Sequence, residues 1–487
     1  MPQTWYFRIT DGLVPAQLLA KAFFASWGRV PRMSSAVLRN DELRILTESP
    51  GSGTIHVPVP FPDFGTVMTS TESLISRGNP YLLLKELCRG SLGQIYLRLF
   101  DWHVLGFHQP ELLSEGLAAA AKRFAAAAVE DIFQTGLEEE FLSILEVLTH
   151  ISILGTKAFT EQSLAWRMRN NEKLPVFFGA GMTDVPLETL ADLGTYNEVL
   201  QRGFHAVLPM PPWRELEPEP GQFHWERLEK RIANAARSGR KILLGPLLSF
   251  APEYLPTWLV QRLGEEGFLE TRITRFVNSM SERYGYLADG WILANRFQLQ
   301  SLPEVSHSRL MGMVRILAQQ MRSRGIETPI AAGIEQPWGE FALTYETDWE
   351  QVQIAEALMG CREIDSFLLE INLGSGDNCT LPYDPMCISS KIDQWSFLDK
   401  KVFIMFSVPD SGGMVGDDEM MPQWTEALQR VWTDNVLFTL FGRRMIRGII
   451  WTQLQDSEKS PRGLLDVQRQ AKETFRRFAA FRETLLR

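Results

Sequence analysis

Several carboxylic acids follow apolar runs in the second half of the chain, at places where acidic side chains could act together. They are Glu335, Glu340, Glu370, Asp410 and Asp456. When two neighbouring carboxyls are desolvated, their pKa values can separate, so that one donates a proton while the other accepts one. The alternative is that these acids pair with basic residues or cap helices in loops. We single out Glu335 and Glu370 as the candidate acid–base pair.

The sequence offers no pattern for a metal or a cofactor. It contains no Walker loop and no GxGxxG, HExxH or GxSxG motif. His150 lies in an apolar stripe without a second His or Cys at ligand spacing, so a packed core histidine is the simpler interpretation. The cysteines are too sparse for a disulfide framework and lack zinc spacing, so we expect buried thiols. They are Cys88, Cys361, Cys379 and Cys387.

Eight short apolar runs alternate with helical stretches in the last two thirds of the chain. Continuous apolar runs are typical of parallel strands buried on both faces, and the intervening helices fit right-handed crossovers. The pattern predicts an α/β fold, a (β/α)8 barrel whose site follows the carboxyl ends of the strands. The runs span residues 176–182, 204–210, 241–248, 290–297, 329–336, 364–374, 401–409 and 447–454.

The first part of the chain has a different pattern of apolar and turn-forming residues. Short alternating runs separated by Gly, Pro and Asn predict strands, among them "GTIHVPVPF", with Ile55, Val57 and Val59 on one face of a half-buried strand. Residues 82–87 and 94–100 could form a further hairpin around "CRGSLG". Residues 110–133 and 137–169 have helical periodicity, and Gly136 supplies a helix stop between them. We expect a small β-sandwich over residues 1–105, a helical connector over 106–172 and the barrel over 173–487.

The segment from Pro209 to Leu259, with "LEPEPGQF" and "LPTWL", resembles the second-to-third-strand region of glycoside hydrolase family 10, the endo-1,4-beta-xylanase family. Trp213, Glu217 and Trp258 stand at matching places, as do Pro218 and Gly221. Residues 290–297, 364–374 and 448–466 match later strands of that family, so the resemblance covers about residues 174–487. It implies a retaining glycosidase barrel of a bacterial type with an N-terminal extension.

The resemblance fails at the positions that hydrolysis needs. Retaining hydrolysis uses two carboxyl groups about 5 to 5.5 Å apart, an acid/base and a nucleophile. The family's acid/base follows Asn on the fourth strand, where this chain has Asn295 and then Arg296. The family's nucleophile ends the seventh strand, where Met405 or Phe406 stands here, and its third-strand histidine is replaced by Pro246. Arginine keeps its proton near neutral pH, so the hydrolytic pair is predicted to be lost.

A sugar-binding cleft is still expected at the barrel mouth. Flat Trp rings near strand ends could stack on sugars, although packing is the alternative, and for Trp258 a buried loop anchor is an equal possibility. The loop at residues 376–387 is long enough to be a binding element. The candidate substrate-binding residues are Trp213, Asn295, Arg296, Trp338, Glu340, Trp451 and Gln453.

Composition narrows the classes of partner. With 45% hydrophobic residues, 14 Trp and a net charge of −10, the chain has ample apolar surface for burial and no basic footprint for nucleic acid. The start has no signal-peptide pattern and no stretch reads as a membrane span, so we expect a cytoplasmic protein without membrane contact. A homo-oligomer is possible.

Three functions remain open from the sequence. The first is a non-hydrolytic barrel that binds carbohydrate or acts as a scaffold. The second is an active glycosidase, on xylan-like or other polysaccharides, that uses relocated carboxylates such as Glu335 and Glu370. The third is a structural or assembly protein whose Ala-rich helices mediate oligomers.

Overall fold

The first eighty residues form two small sheets of four strands each. The computed structural model describes residues 3–10, 12–26, 29–131, 134–170, 177–182, 194–297, 302, 305–343, 351–374, 379–396, 398–410, 424–457 and 460–485. The first strands and helix are β1 (Gln3–Arg8), α1 (Ala16–Leu19), β2 (Phe23–Ser26), β3 (Val30–Pro31), β4 (Ser34–Arg39), β5 (Glu42–Thr47), β6 (Thr54–Phe61), β7 (Gly65–Ser70) and β8 (Tyr81–Leu82). The sheets have the orders β4-β5-β1-β8 and β3-β2-β6-β7.

The strand β6 is buried on both faces, whereas its alternating pattern predicts burial on one. Ile55, Val57 and Val59 are buried, and so is His56 on the opposite face, at 4% exposure. The reason lies far away in the sequence: the ring of His56 stacks on Phe23 and meets the edge of Tyr383, a residue of the barrel.

Three long helices follow: α2 (Leu83–Val104), α3 (Glu111–Ala127) and α4 (Leu137–Arg169). The prediction of a hairpin over residues 82–87 and 94–100 is therefore wrong, because "CRGSLG" continues α2 instead of turning. Gly90 allows α2 to approach β7, since an added Cβ would lie 2.0 Å from the carbonyl oxygen of Ser70. The two later helices confirm the predicted helical pair. Gly136, with φ +83°, precedes α4 and does not end α3, which stops at Ala127.

Eight parallel strands then close into a ring, which confirms the predicted (β/α)8 barrel. The eight ring strands are β9 (Phe177–Gly181), β10 (Ala206–Leu208), β11 (Lys241–Leu244), β13 (Gly290–Asn295), β14 (Ile330–Glu335), β15 (Ser366–Asn372), β16 (Lys401–Ser407) and β17 (Ile446–Trp451), and a short additional strand, β12 (Leu248–Ser249), follows β11. Pairing of β11 with β13 closes the ring, and the short β12 adds to the upper end of β13.

Helices surround this ring. They are α5 (Gly194–Gly203), α6 (Trp213–Leu216), α7 (Trp225–Arg237), α8 (Thr257–Val260), α9 (Phe268–Tyr284), α10 (His307–Ser323), α11 (Gln351–Met359), α12 (Pro385–Ser396), α13 (Glu426–Phe441) and α14 (Glu473–Leu485), with a 3-10 helix at Glu340–Leu343. The barrel interior is filled by apolar side chains from every long strand, which leaves only its mouth for a site. Interior members include Phe177, Leu208, Leu243, Ile292, Ala331, Leu368, Phe403, Met405 and Ile450.

The N-terminal sheets and helices rest on the barrel. The backbone N–H of Met68 in β7 donates to Pro382 at 2.7 Å, and the indole of Trp432 in α13 donates to the carbonyl of Phe64 at 2.9 Å. By length and composition α4 could cross a membrane, but 50% of its apolar window is buried inside the protein. Thr160 of α4 donates to the carbonyl of Phe438 at 2.7 Å, as expected of a helix packed on the barrel.

A matched pair of glycine substitutions tests the close packing of α2 on β7. Gly90→Ala places a methyl group against backbone and should destabilise the protein by about 2–3 kcal/mol, the usual cost of overpacking. Gly116→Ala, in the interior of α3, meets its nearest atom at 4.0 Å and should be neutral or stabilising. Urea unfolding of the two variants measures the difference. Equal stabilities would contradict the close approach.

Candidate functional site

Two carboxylates end neighbouring strands on the inside of the barrel mouth. Glu335 at the end of β14 and Glu370 in β15 are Cα partners in the parallel register. Ala331 and Leu368 point into the barrel interior, so the two-residue alternation places Glu335 and Glu370 on the same side. The side chains are 1% and 5% exposed. The structure thus brings together the two acids that the sequence singles out.

Amide groups hold Glu370 from both sides. The side-chain nitrogen of Asn295 donates to one carboxylate oxygen at 3.4 Å, and that of Asn372 donates to the other at 3.0 Å. The Ser407 hydroxyl in turn donates to the side-chain oxygen of Asn372 at 2.7 Å. These contacts extend across β13, β15 and β16, so Glu370 is fixed in the centre of a polar network.

Glu335 accepts a hydrogen bond from the backbone that directly follows β13. The backbone N–H of Arg296 donates to its carboxylate, and Arg296 adopts φ +62°, an uncommon conformation for a residue with a side chain. Burial, and then the neighbouring carboxylate of Glu370, raise the pKa of Glu335 to about 8. Glu335 therefore holds a proton at neutral pH beside Glu370.

The side chain of Arg296 turns toward the loop after β12. Its guanidinium forms an ion pair with Glu253 at 3.2 Å and lies 4.6 Å from the ring centre of Tyr254. Burial works against the charge of Arg296, but Tyr254 and the nearby carboxylates outweigh burial and raise its pKa. Arg296 consequently places a permanent positive charge beside the two acids.

The seventh barrel strand offers no carboxylate level with this network. Met405 in β16 is the register partner of Glu370, and it lies among the apolar side chains of the barrel interior. Phe406 faces the helix layer, where it contacts the rings of Trp451 and Phe478. Neither residue has an oxygen that could attack a sugar.

The acids after the last two strands pair with a lysine. Lys472 lies 2.5 Å from Asp410 and 2.5 Å from Asp456, and its side chain is 5% exposed. Asp456 also accepts from the backbone N–H of Gly463 at 2.6 Å. The alternative that these acids pair with basic residues is therefore the one observed.

Two of the candidate tryptophans have rings covered by protein. Trp213 stacks on Phe276 with ring centres 4.3 Å apart, and its indole donates to Glu217 at 2.8 Å. Trp451 is fully buried and contacts Phe478 of α14, on the outer side of the strands. Both rings are buried in the structure, at 2% and 0% exposure, so a role as sugar platforms stays a prediction.

The remaining aromatic candidates lie beside the mouth. Trp258 is half-buried, and its indole donates to the carbonyl of Glu217 at 3.1 Å, as expected of a loop anchor. Trp338 is 5% exposed and stacks on Tyr383 with ring centres 5.0 Å apart. Trp338 thus belongs to the junction between the barrel and the N-terminal sheets.

Of the polar candidates, Glu340 is a buried carboxyl and Gln453 is engaged in loop structure. Burial raises the pKa of Glu340 to about 7. Gln453 donates to the carbonyls of Gln455 and Ser460 at 2.7 Å each, and accepts from the Ser460 hydroxyl. Its amide is used in shaping the loop after β17. Of the predicted loop 376–387, residues 376–378 lie outside the described residues.

His150 and the cysteines lie in different surroundings. His150 is half-exposed, with its ring edge on Phe64 and one nitrogen 3.0 Å from the carbonyl of Glu146, so it is packed at the surface instead of in the core. Cys88 and Cys361 are buried, whereas Cys379 and Cys387 are partly exposed. Within the described residues no group of three His, Cys, Asp or Glu side chains could hold a metal ion.

Three residues of the mouth are not among the site residues predicted from the sequence. Asn372 follows Glu370 by two positions, so the alternation of the strand could have indicated it. Ser407 ends the next strand by the same logic. Arg462 donates to the carbonyl of Leu373 at 2.6 Å and to Ser407 at 3.2 Å, but it comes from a loop, and no sequence signal places it there.

Comparison with known proteins yields similarities of fold. A family model described as Beta-galactosidase, of glycoside hydrolase family 42, matches residues 202–283. No curated protein matches the chain. Among solved structures, the GH10 xylanase of Thermobacillus composti is similar at 15% identity and a TM-score of 0.46, covering 62% of this chain and 96% of its own.

Two further xylanases have the same relation to this chain. Xylanase B from Clostridium stercorarium F9 has 14% identity and a TM-score of 0.48, with 65% of this chain and 98% of its own covered. Xylanase 10B from Thermotoga maritima has 12% identity and a TM-score of 0.46, with 63% and 95% covered. The chain is similar to these enzymes in fold, which its closed ring of strands already establishes.

The proton on Glu335 should make stability depend on pH. Because its folded pKa of about 8 is above the unfolded value of about 4.3, its stabilising contribution is present below about pH 4 and is lost as pH rises toward 8. Glu335→Gln removes this titration and keeps an oxygen for the Arg296 N–H. As pH rises from about 4 to about 8, we expect the wild-type melting temperature to fall by several degrees relative to that of the variant.

The control is Glu226→Gln, at an exposed position in α7. Thermal unfolding followed by circular dichroism across that pH range compares the three proteins. The control should melt in parallel with the wild type. If the Glu335→Gln curve also runs parallel to the wild type, the raised pKa of Glu335 is refuted.

Proposed function

We propose that this protein is a family 10-like glycosidase barrel that binds a carbohydrate at its mouth without hydrolysing it by the retaining reaction. One observation carries the proposal. The end of β13 bears Asn295 and Arg296, and the position of β16 in register with Glu370 bears Met405. Both places where the family's chemistry needs a carboxyl group lack one.

The consequence follows from the chemistry of glycosides. The leaving oxygen must receive a proton and the anomeric carbon must be attacked from the opposite side. Arg296 cannot give up a proton near neutral pH, and its side chain is held by Glu253 and Tyr254. Met405 has no nucleophilic oxygen. Binding of a glycoside at this mouth therefore cannot lead to cleavage of its bond by the retaining reaction.

The polar groups of the mouth support a ligand rich in hydroxyls. Asn295, Asn372 and Ser407 supply amide and hydroxyl groups, Glu370 supplies acceptors and Arg462 supplies donors, all within one connected network. Such groups bind hydroxyls in either hydrogen-bonding direction. Recognition here is proposed to rest on hydrogen bonds more than on stacking, because Trp213 and Trp451 have no free ring face.

Binding without turnover is the expected result for the wild-type protein. Calorimetry with xylohexaose measures binding, and release of reducing ends from xylan and of phenol from aryl glycosides measures hydrolysis. We expect binding that weakens about tenfold in Asn372→Ala, because one hydrogen-bonding group is lost. Glu226→Gln, which changes an exposed residue of α7, should bind like the wild type. Turnover that disappears in Glu370→Gln would overturn the proposal, and failure of xylohexaose to bind would exclude a xylan-like ligand.

A second candidate is hydrolysis by the relocated pair. The favouring observation is that Glu335 carries a proton beside Glu370, because a split pair of carboxyls is what acid–base catalysis requires. This candidate predicts a bell-shaped pH–rate profile whose alkaline limb moves in Glu335→Gln. A rate for that variant equal to the wild-type rate at every pH would eliminate it.

A further inference from the structure

A cavity of about 220 Å³ lies where the N-terminal sheet meets the barrel, apart from the barrel mouth. Its walls come from β6 and β7 on one side, α2 and α4 on another, and α12 with the residues before it on the third. Lining residues include His56, Thr69, Gln94, Thr149, Tyr383 and Ser390. A cavity of this size accommodates a small molecule of a few heavy atoms.

Two cations line this cavity without an ion-pair partner among the described residues: Arg29 from the short segment before β3, and Lys391 from α12. The two are close enough to act on the same groups, since both lower the pKa of His56. Burial comes first among the causes, and together they bring the pKa of His56 to about 3. His56 is consequently neutral, so the charge facing the cavity comes from Arg29 and Lys391.

The other charged groups of the wall are already compensated. Arg98 forms ion pairs with Asp393 and, at 3.6 Å, with Asp101. Asp384 accepts from the Ser152 hydroxyl and from the backbone N–H groups of Met386, at 3.0 Å, and Cys387. These contacts satisfy Asp384 where α12 begins. Arg29 and Lys391 make no such hydrogen bonds within the described residues, and Arg29 lies near enough to Asp384 to lower its pKa through space.

Two further groups, Glu340 and Cys387, interact electrostatically with Lys391. Glu340 acts on it through space, but burial raises the pKa of Glu340 to about 7, so its negative charge is only partial at neutral pH. Burial raises the pKa of the Cys387 thiol to about 12, so Cys387 adds no charge. Burial in turn lowers the pKa of Lys391. An unpaired cation in such a place is costly, and an anion beside it would offset the cost.

We propose that this cavity binds a small oxyanion, a phosphate or carboxylate group, between Arg29 and Lys391. A planar guanidinium and an ammonium are the two side chains that recognise such oxygens, by charge-assisted hydrogen bonds. Hydroxyls of Ser91 and Ser390 on the wall supply further donors. Because Arg29 belongs to the N-terminal sheet region and Lys391 to a barrel helix, the bound anion joins the two parts of the chain.

The experiment uses the full chain at low ionic strength, with inorganic phosphate and glucuronate as separate probes. Thermal unfolding and calorimetry should show binding of at least one probe, with a melting temperature that rises with its concentration. Phosphate binding alone identifies a phosphorylated ligand, and glucuronate binding alone identifies a carboxylated one. Absence of binding for both probes at about 10 mM overturns the proposal, because two cations in one cavity should bind an oxyanion at low salt.

Variants locate the site. Lys391→Gln and Arg29→Gln should each weaken binding by about tenfold or more, the loss expected for one charge-assisted contact. Lys391→Arg keeps the charge and should retain most of the affinity, which separates loss of charge from loss of folding. The controls Lys122→Gln and Arg39→Gln change exposed residues elsewhere and should bind like the wild type. Equal affinity of Lys391→Gln and Lys122→Gln overturns the proposal.

Discussion

Two carboxyl groups that end adjacent parallel strands inside a barrel cannot both be charged without compensation. Glu335 and Glu370 are in register and almost fully buried, so strand spacing of about 4.8 Å forces them together. The protein resolves this repulsion by keeping a proton on Glu335, by hydrogen-bonding Glu370 to two amides, and by placing Arg296 nearby. The arrangement of the whole mouth follows from that electrostatic requirement.

The same requirement is consistent with the proposal that this mouth does not carry out the retaining reaction. A barrel determines where strand ends converge, whereas the side chains at those ends determine the reaction. In that proposal, Arg296 and Met405 stand where the retaining reaction would need two acids. Compensation recurs on the other side of the mouth, where Lys472 lies between Asp410 and Asp456. The acids of this rim are thus balanced by nearby cations.

Local sequence patterns were sufficient to predict the barrel and part of its site. Every predicted apolar run contains a strand, and Glu335 and Glu370 lie at the strand ends as expected, because strand burial and alternation are short-range properties. The helix α2 could not be predicted in this way. Its two glycines resemble a turn, and only tertiary contacts explain their presence: Gly90 lies against the backbone of Ser70, and Gly93 lies against the side chain of Glu72.

The tryptophans show a second limit of sequence reasoning. Proximity to a strand end places Trp451 near the mouth, but the outward side of a strand faces the helix layer, so its ring packs on α14. Trp338 is a candidate substrate-binding residue from the sequence, and its ring stacks on Tyr383 where the N-terminal sheets meet the barrel. Contacts at that junction join residues hundreds of positions apart, and single-sequence periodicity carries no information about them.

The arrangement of the mouth depends on Glu335 keeping its proton at neutral pH next to Glu370. Infrared difference spectroscopy between the wild type and Glu335→Gln observes the carbonyl stretch of a protonated carboxyl directly. At neutral pH the account predicts a protonated-carboxyl band that is present in the wild type, absent from the variant, and lost as pH rises through about 8. A difference spectrum showing only an ionised carboxylate at neutral pH would contradict it.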